Sequence, residues 1–391
     1  MKNIKLFEVF AGIGSQYKAL KNISKKMKWK VEIVGIIEWF IPAICAYNKM
    51  HLPNKRNNLS IESRERERER LEQITLSLDS KKPIANSSIK KIINKYFGDI
   101  LLSEKKLNNT FDITKTQYFQ ISKNIDIFTY SFPCQDLSNQ GRQKGMEKNS
   151  KTRSSLLWEV DRLLSDMKKN WKIYEMPKYL LLENVSQIGN YKNRKSLNEW
   201  ISKLNKIGYE TKIYYLNSSN FNSPQNRKRA YGLSIRKDWK EKMNFIFPDF
   251  ESIIKKNKKP LKCILDKKVK QSYFLKQLDK FKKTDFVLTK SNINKSKLIG
   301  YTNFSSEAYV YDINFTGPTL TASGANSRIK IIDSNKIRKL NAKEALKYMG
   351  FNESDYKKIK KTNLSETKII YLAGNSIVVN VLEKIFESLK F

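Results

Sequence analysis

Histidine is nearly missing: His51 is the single one in 391 residues. That scarcity makes a His-rich zinc site, a Ser-His-Asp triad and a Cys-His dyad hard to assemble. Three cysteines, Cys45, Cys134 and Cys263, are too few and too scattered for a disulfide framework, and they point to a reducing compartment. No apolar run approaches the ~20 residues that a membrane-spanning helix needs. The opening MKNIKLFEVFAGIG carries Glu8 inside its apolar stretch and lacks a small-residue cleavage site, so it does not read as a signal peptide. Acidic side chains are short too, with 38 Asp and Glu against 76 Lys and Arg.

What is present is a formal charge of +38 on a chain with 40% hydrophobic and 12% aromatic residues. That apolar share supports a sizeable core and excludes wholesale disorder. The charge points to a polyanion, nucleic acid above all. Only 14 of the basic residues are arginine and 62 are lysine, in a chain crowded with Asn and Ile, which is also what an AT-rich genome writes. Charge alone therefore does not name the partner. The length allows two or three domains.

The pattern along the chain is α/β. Lys5–Phe10 reads as a strand, Ala11–Ser15 as a turn of small residues, Gln16–Ile23 as a helix, and Val31–Glu38 as a second strand. Further short strands are expected at Ile125–Phe132, Tyr179–Leu182 and Lys228–Ile235, with helices at Ser155–Met167 and Lys195–Lys206. Residues 52–110 look like an insertion. Its Arg64–Arg70 run alternates charge at every residue, so on a helix the favourable i,i+3 and unfavourable i,i+4 pairs largely cancel and a solvated face is expected. Composition turns lysine-rich after Arg236, and Tyr301–Ile332 has the character of loops and short strands.

Five segments carry chemistry. Phe10-Ala11-Gly12-Ile13-Gly14 sits where the first strand meets the first helix, and glycines there let the backbone approach a nucleotide-like ligand. Glu38 ends the second strand, where an acid can accept both hydroxyls of a ribose, and Trp39 beside it can lie against an adenine ring. These residues do not separate a dinucleotide from S-adenosylmethionine. Cys134, pinned by Pro133 at a strand end and followed by a polar loop with Gly141 and Gly145, is placed like a nucleophile, although an isolated cysteine is more often a small core residue. Glu183, in the apolar run LLLENV, and the alternating Arg227 and Arg229 of QNRKR add ionisable groups to strand ends.

Taken in order, these segments resemble the DNA (cytosine-5)-methyltransferases. FAGIG, EW, FDI (111–113), FPCQ, ENV, QNRKR, RKLNAKEALKYMGF (338–351) and GNSIVV (374–379) follow that family's motif order from Lys5 to the last helix. Segments 290–301 and 309–331 look like the target-recognition region of the mollicute CpG-specific methylases, which implies methylation of the first base of 5′-CG-3′. Ser15 departs from the glycine often found there, and the 52–110 insertion is longer than in compact members.

The resemblance implies an S-adenosylmethionine-dependent methyltransferase fold, Rossmann-like, with a mixed seven-stranded sheet and a smaller target-recognition domain. It implies a catalytic domain over residues 1–236, a recognition domain over 237–361 and a segment 362–391 that returns to the catalytic domain. Cys134 is then the nucleophile that attacks cytosine C6, and Glu183 bonds N3 and the exocyclic amine. Arg229 faces O2 and Arg227 braces the site. The cofactor set is Phe10, Ala11, Gly12, Ile13, Gly14, Glu38, Trp39, Asp112, Ile113, Pro133, Leu156, Asn375, Ser376 and Ile377. Asp112, and not the nearby Asp99, has the family's spacing to PCQ. S-adenosylhomocysteine is the product, and no metal is required.

The target base must leave the stack of double-stranded DNA, and Gln140 is the candidate to fill its place, with water as the ordinary partner of a loop glutamine. Ser138, Arg142, Thr319 and the run Ser323, Gly324, Ala325, Asn326, Ser327 and Arg328 are the remaining DNA candidates. Arg328 fits a guanine or a phosphate equally well. The expected enzyme is a cytoplasmic, nucleoid-associated monomer, with a cognate restriction endonuclease left open. A tRNA cytosine-5 methyltransferase, an inactive scaffold and a dehydrogenase are the rivals. The DNA-type recognition region, the intact Cys134, Glu183 and Arg229, and the lack of a hydride-transfer acid or base stand against them in turn.

Overall fold

The computed structural model describes residues 1–52, 60–133, 146 and 153–391. The chain divides into two compact units, one of residues 1–215, 229–250 and 385–391, the other of 216–228 and 251–384. Composition suggests a boundary at 236, and the resemblance implies a further one at 362. The difference has a packing cause: Phe245 meets Tyr179 at 5.7 Å between ring centroids and Phe250 meets Tyr214 at 5.1 Å, which keeps the stretch to 250 with the first unit.

The first unit is built on β1 (Lys2–Val9), α1 (Ser15–Met27), β2 (Trp29–Ile37), α2 (Ile41–His51), α3 (Ile61–Glu72), α4 (Asn86–Leu107), β3 (Ile127–Tyr130), α5 (Leu157–Asn170), β4 (Tyr179–Val185), α6 (Tyr191–Ile207), β5 (Tyr209–Asn217), β6 (Lys228–Arg236) and α7 (Lys237–Lys242). The sheet order is β2-β1-β3-β4-β6-β5. β1 runs parallel to β2 and β3, β3 parallel to β4, and β6 antiparallel to β4. β3 and β4 are buried along their whole length, which suits central strands covered on both faces. Phe7 and Val9 pack with α5 and α6 through Leu163 and Trp200, while Ile36 meets Tyr47 of α2 and Leu107 of α4.

Six strands stand where seven were expected, among the described residues. At the β2 edge the ladder shrinks to one parallel bridge, Ile36 to Asn109. Asn109 takes over with its side chain: Oδ1 accepts the Glu38 N–H at 3.0 Å and Nδ2 donates to the Glu38 carbonyl at 2.9 Å. An amide that pairs with a backbone in this way satisfies the strand edge without continuing it.

The inserted region is also less solvated than its charge pattern suggests. Leu71 of α3 is buried with Ile44 and Cys45 of α2 and with Ile93 and Ile100 of α4. Arg70 bonds Glu104 of α4 as well as Glu67 of its own helix, Lys105 reaches Glu67 at 3.0 Å, and Arg68 lies 5.0 Å over the Phe97 ring. Part of the alternating charge is therefore used between helices.

The second unit holds a five-stranded sheet of β7 (Val287–Leu288), β8 (Asn294–Lys297), β9 (Tyr309–Asp312), β10 (Lys330–Asp333) and β11 (Lys336–Lys339), in order β11-β10-β9-β8-β7. Ser334 and Asn335, both left-handed, make the tight turn between β10 and β11. Leu278, Leu298, Val310 and Ile337 form its core. The helices that follow are α8 (Ala342–Tyr348), α9 (Glu353–Ile359), α10 (Glu366–Asn375) and α11 (Val379–Glu387), the last of which passes into the first unit at residue 385. Asn341 and Glu344 cap α8 reciprocally, and the buried Glu344 carboxylate takes both Arg338 Nη atoms at 2.9 and 3.0 Å. The helical stretch 366–387 is long and apolar, and most of it is buried. It breaks between α10 and α11 and belongs to the protein interior.

Candidate active site

β1, β2, β3 and β4 all deliver their carboxyl ends to one edge of the sheet, the edge at which parallel α/β sheets hold ligands. Between β1 and β3 the strand order reverses direction, which opens a crevice there.

The turn after β1 occupies that point. Phe10, Gly12 and Gly14 all have positive φ, 58°, 56° and 73°. Phe10 N–H donates to the Ile37 carbonyl at 2.9 Å, so the turn is bound to the end of β2. Glu38 completes the tie: its Oε2 accepts the Gly12 N–H and its Oε1 the Phe40 N–H, both at 2.8 Å. Burial raises the Glu38 pKa against these bonds, which favour the charged form. Open space lies where a Gly12 Cβ would stand, its nearest neighbour being the Phe10 carbonyl at 4.0 Å.

Trp39 is half-buried and packs on the α2–α4 cluster. Asp112 follows the Asn109 bridge to Glu38 and is half-buried, with Oδ1 accepting the Thr114 N–H at 3.0 Å and hydroxyl at 2.8 Å. Asp99 instead lies within α4, where its backbone carbonyl accepts from Asn48 Nδ2 at 2.8 Å. Ile113 is buried, Pro133 is half-buried, and Leu156 is half-buried against the α5 core.

At the end of β3, Ser131, Phe132 and Pro133 are pinned by three side chains. Ser131 Oγ donates to Glu183 Oε2 at 2.6 Å, Asn184 Nδ2 donates to the Phe132 carbonyl at 3.1 Å, and Ser154 Oγ to the Pro133 carbonyl at 2.8 Å. Glu183 is 6% exposed, and its Oε1 lies 3.5 Å from Arg229 Nε. The antiparallel β4–β6 register, Val185 opposite Arg229, brings this acid and base together. Cys134, Ser138, Gln140 and Arg142 lie outside the described residues.

Arg227 and Arg229 part company. Arg227 belongs to the second unit, where Nη1 donates to the Leu320 carbonyl at 2.7 Å and Nη2 to the Gly374 and Ser376 carbonyls at 3.3 and 3.2 Å. In that unit Asn375 is exposed, Ile377 is buried, and Ser376 Oγ caps the end of α10 on the Ala373 carbonyl at 2.7 Å. Thr319 donates to the Asn226 carbonyl at 2.7 Å. Residues 323–328 form a loop with one short 3-10 turn, Ala325–Ser327, in which Ser327 Oγ bonds the Gly324 carbonyl and the Asn326 carbonyl accepts the Thr321 N–H. Ser323, Gly324 and Arg328 are exposed, Ala325 and Asn326 half-buried, and Arg328 pairs with Glu307 at 2.6 Å.

Sequence reasoning passed over Glu8, Ser131, Ser154 and Asn109. Glu8 left a signal, a charge on the buried side of a strand; the other three act through contacts distant in the chain. Among the described residues, no three His, Cys, Asp or Glu side chains gather as a metal site.

The glycine turn, Glu38 and the buried Glu183–Arg229 pair thus stand at the carboxyl edge of one α/β sheet. Residues 70–391 match the family model of the C-5 cytosine-specific DNA methylases. The chain is 46% identical to orphan methyltransferase M.SssI of Spiroplasma monobiae, over 99% of this chain and 97% of the relative. It is 28% identical to type II methyltransferase M2.ScrFI of Lactococcus lactis subsp. cremoris, over 99% of each. The fold is shared with the S. pombe Dnmt2 methyltransferase structure, at a TM-score of 0.59 and 16% identity over 98% of this chain and 97% of that one. The chain belongs to the C-5 cytosine-specific DNA methylases, and it is a DNA (cytosine-5)-methyltransferase.

Proposed function

We propose that the protein flips a cytosine out of duplex DNA and methylates its C5, with S-adenosylmethionine as donor and the first base of 5′-CG-3′ as target. The carrying observation is Glu183, buried between Ser131 and Arg229 beside the segment that leads into Cys134, on the sheet edge that also holds the glycine turn.

The residues present fit the cofactor. Open space at Gly12 admits a ligand close to the backbone, and Glu38, with two of about four acceptor positions used, can take two ribose hydroxyls. Asp112 offers Oδ2 to an adenine amino group, and Trp39 and Ile113 supply apolar contact. When bound, S-adenosylmethionine supplies an electrophilic methyl group.

Cytosine C5 is a poor nucleophile while the ring is aromatic. Attack of the Cys134 thiolate forms an S–C6 bond and turns C5 into the nucleophilic end of an enamine. Glu183, as a carboxylic acid that shares its proton with N3, bonds N3 where charge would otherwise collect and accepts from the exocyclic amine, and Arg229 holds O2. After methylation the C5 proton passes to solvent, the S–C6 bond breaks and the thiolate is regenerated. Arg227 acts as a brace of the second unit, and residues 237–361 form the target-recognition part, with Thr319 and 323–328 as base or phosphate contacts. Base flipping costs a few kcal/mol, offset by Gln140 filling the vacated space, with Ser138 and Arg142 on the strand. The name orphan carried by the Spiroplasma relative supports an enzyme that works without a cognate endonuclease.

Labelled methyl transfer to duplexes with and without CG, followed by position-resolved conversion sequencing, tests this reading. Label confined to the first base of CG, with tRNA unlabelled, is expected. Equal labelling of a CG-free cytosine duplex would refute the site choice, and labelled tRNA would refute the substrate.

A further inference from the structure

The one histidine has no part in the chemistry above, yet it lies directly beneath the glycine turn. His51 ends α2 and is buried, with Nε2 2.9 Å from the Ile13 carbonyl oxygen. A carbonyl can only accept, so Nε2 carries the proton. The imidazole stands edge-on to Tyr17, with centroids 5.1 Å apart and planes at 85°, and to Tyr47, at 4.8 Å and 71°. Tyr47 gives its hydroxyl to Glu8 Oε2, and Glu8 Oε1 accepts the Tyr17 N–H at 3.3 Å.

The turn rests on these rings. A Cβ at Gly14 would stand 2.6 Å from His51 Nε2 and 2.7 Å from Tyr47 Cε2. The Ile13–Gly14 peptide is pinned at both ends: Gly14 N–H donates to the Ala11 carbonyl at 2.9 Å, and the Ile13 carbonyl accepts from His51. A peptide held only at one end can rotate and take its neighbours' φ and ψ with it.

We infer that His51 is a positioning residue for the methyl donor: its Nε2–H bond to the Ile13 carbonyl locks the Ile13–Gly14 peptide in the conformation that receives S-adenosylmethionine. This rests on the turn being the cofactor site, and it adds a task for the chain's only imidazole. His51 touches neither donor nor base and acts through the backbone.

The single histidine makes the test direct, because ¹⁵N-labelled protein gives one set of imidazole signals with no assignment needed. The Nε2-protonated tautomer is expected, with a resonance that shifts when S-adenosylhomocysteine saturates the protein. By calorimetry, His51→Ala is expected to weaken S-adenosylhomocysteine binding about tenfold, the loss of one buried hydrogen bond, while duplex affinity stays within about twofold. His51→Gln, whose amide can reach the same carbonyl, is expected to recover most of that loss. An Nδ1-protonated tautomer, a resonance indifferent to the ligand, or His51→Gln binding as weakly as His51→Ala would overturn the role. Should His51→Ala fail to fold, the wild-type tautomer, its ligand-induced shift and the His51→Gln affinity still decide. Wild-type protein that binds no S-adenosylhomocysteine would overturn the cofactor reading and the role together. Normal wild-type binding matched by folded His51→Ala overturns only the role of His51.

Discussion

Replacing Glu8 by glutamine tests whether the buried acid under the glycine turn titrates as its surroundings require. Glu8 is fully buried, and burial pushes its pKa from 4.5 up to about 7, against the lowering bonds from Tyr47 and Tyr17. Between those values the native state holds a proton that the unfolded chain has released, so stability falls as pH rises through the window and the loss is complete above it. A displacement of that size corresponds to at most about 3 kcal/mol. The substituted amide would keep the shape and an acceptor for one of the two donors but cannot ionise. Urea denaturation of ligand-free protein at about pH 4.5, 6 and 8 measures the effect, and the difference of differences between the two proteins cancels other titrating groups to first order. Wild type is expected to lose up to about 3 kcal/mol more than Glu8→Gln across that range. Parallel pH profiles for the two proteins would refute the reasoning.

Four further outcomes follow from the packing, the acid and the charge. A Cβ at Gly374 would lie 2.4–2.5 Å from Thr321 and Ala322 backbone atoms, so Gly374→Ala is expected to cost about 1–3 kcal/mol in thermal unfolding. Gly98→Ala in the open middle of α4 is expected to gain up to about 1 kcal/mol in the same measurement. Glu183→Gln preserves the acceptor for Ser131 but removes the ionisable group, and single-turnover methyl transfer is expected to slow by about 10²–10⁴. Non-specific duplex affinity is expected to fall with salt at about −0.9 logarithmic units per phosphate neutralised. A flat salt plot would return most of the 62 lysines to genome composition.

The strand ends were legible because their signals are local. Phe10–Gly14 joins an apolar run to a helix start, and Glu183 is a charge in the run Tyr179–Val185, so both stand out against their neighbours. β5 was missed because YETKIYYLN mixes Glu, Thr and Lys into a half-exposed edge strand, where alternation is faint. The reduced seventh strand was invisible for another reason: a single asparagine side chain replaces a ladder, and pattern carries no trace of that. Arg227 and Arg229 look equivalent in QNRKR, yet the first compact unit resumes at residue 229 and they take different partners. Glu8 and Tyr47 lie 39 positions apart, a contact that only the folded chain reveals.

The covalent role of Cys134 is tested most directly with a duplex carrying 5-fluorocytosine at the first position of one CG. Fluorine cannot leave C5 as a proton does, so the S–C6 bond should persist after methylation. A denaturant-stable protein–DNA adduct is expected, dependent on S-adenosylmethionine, mapping by mass spectrometry to the peptide that contains Cys134 and missing from Cys134→Ala. Efficient methylation of the ordinary CG duplex with no adduct on the fluorinated one, or an adduct that survives Cys134→Ala, would contradict the mechanism.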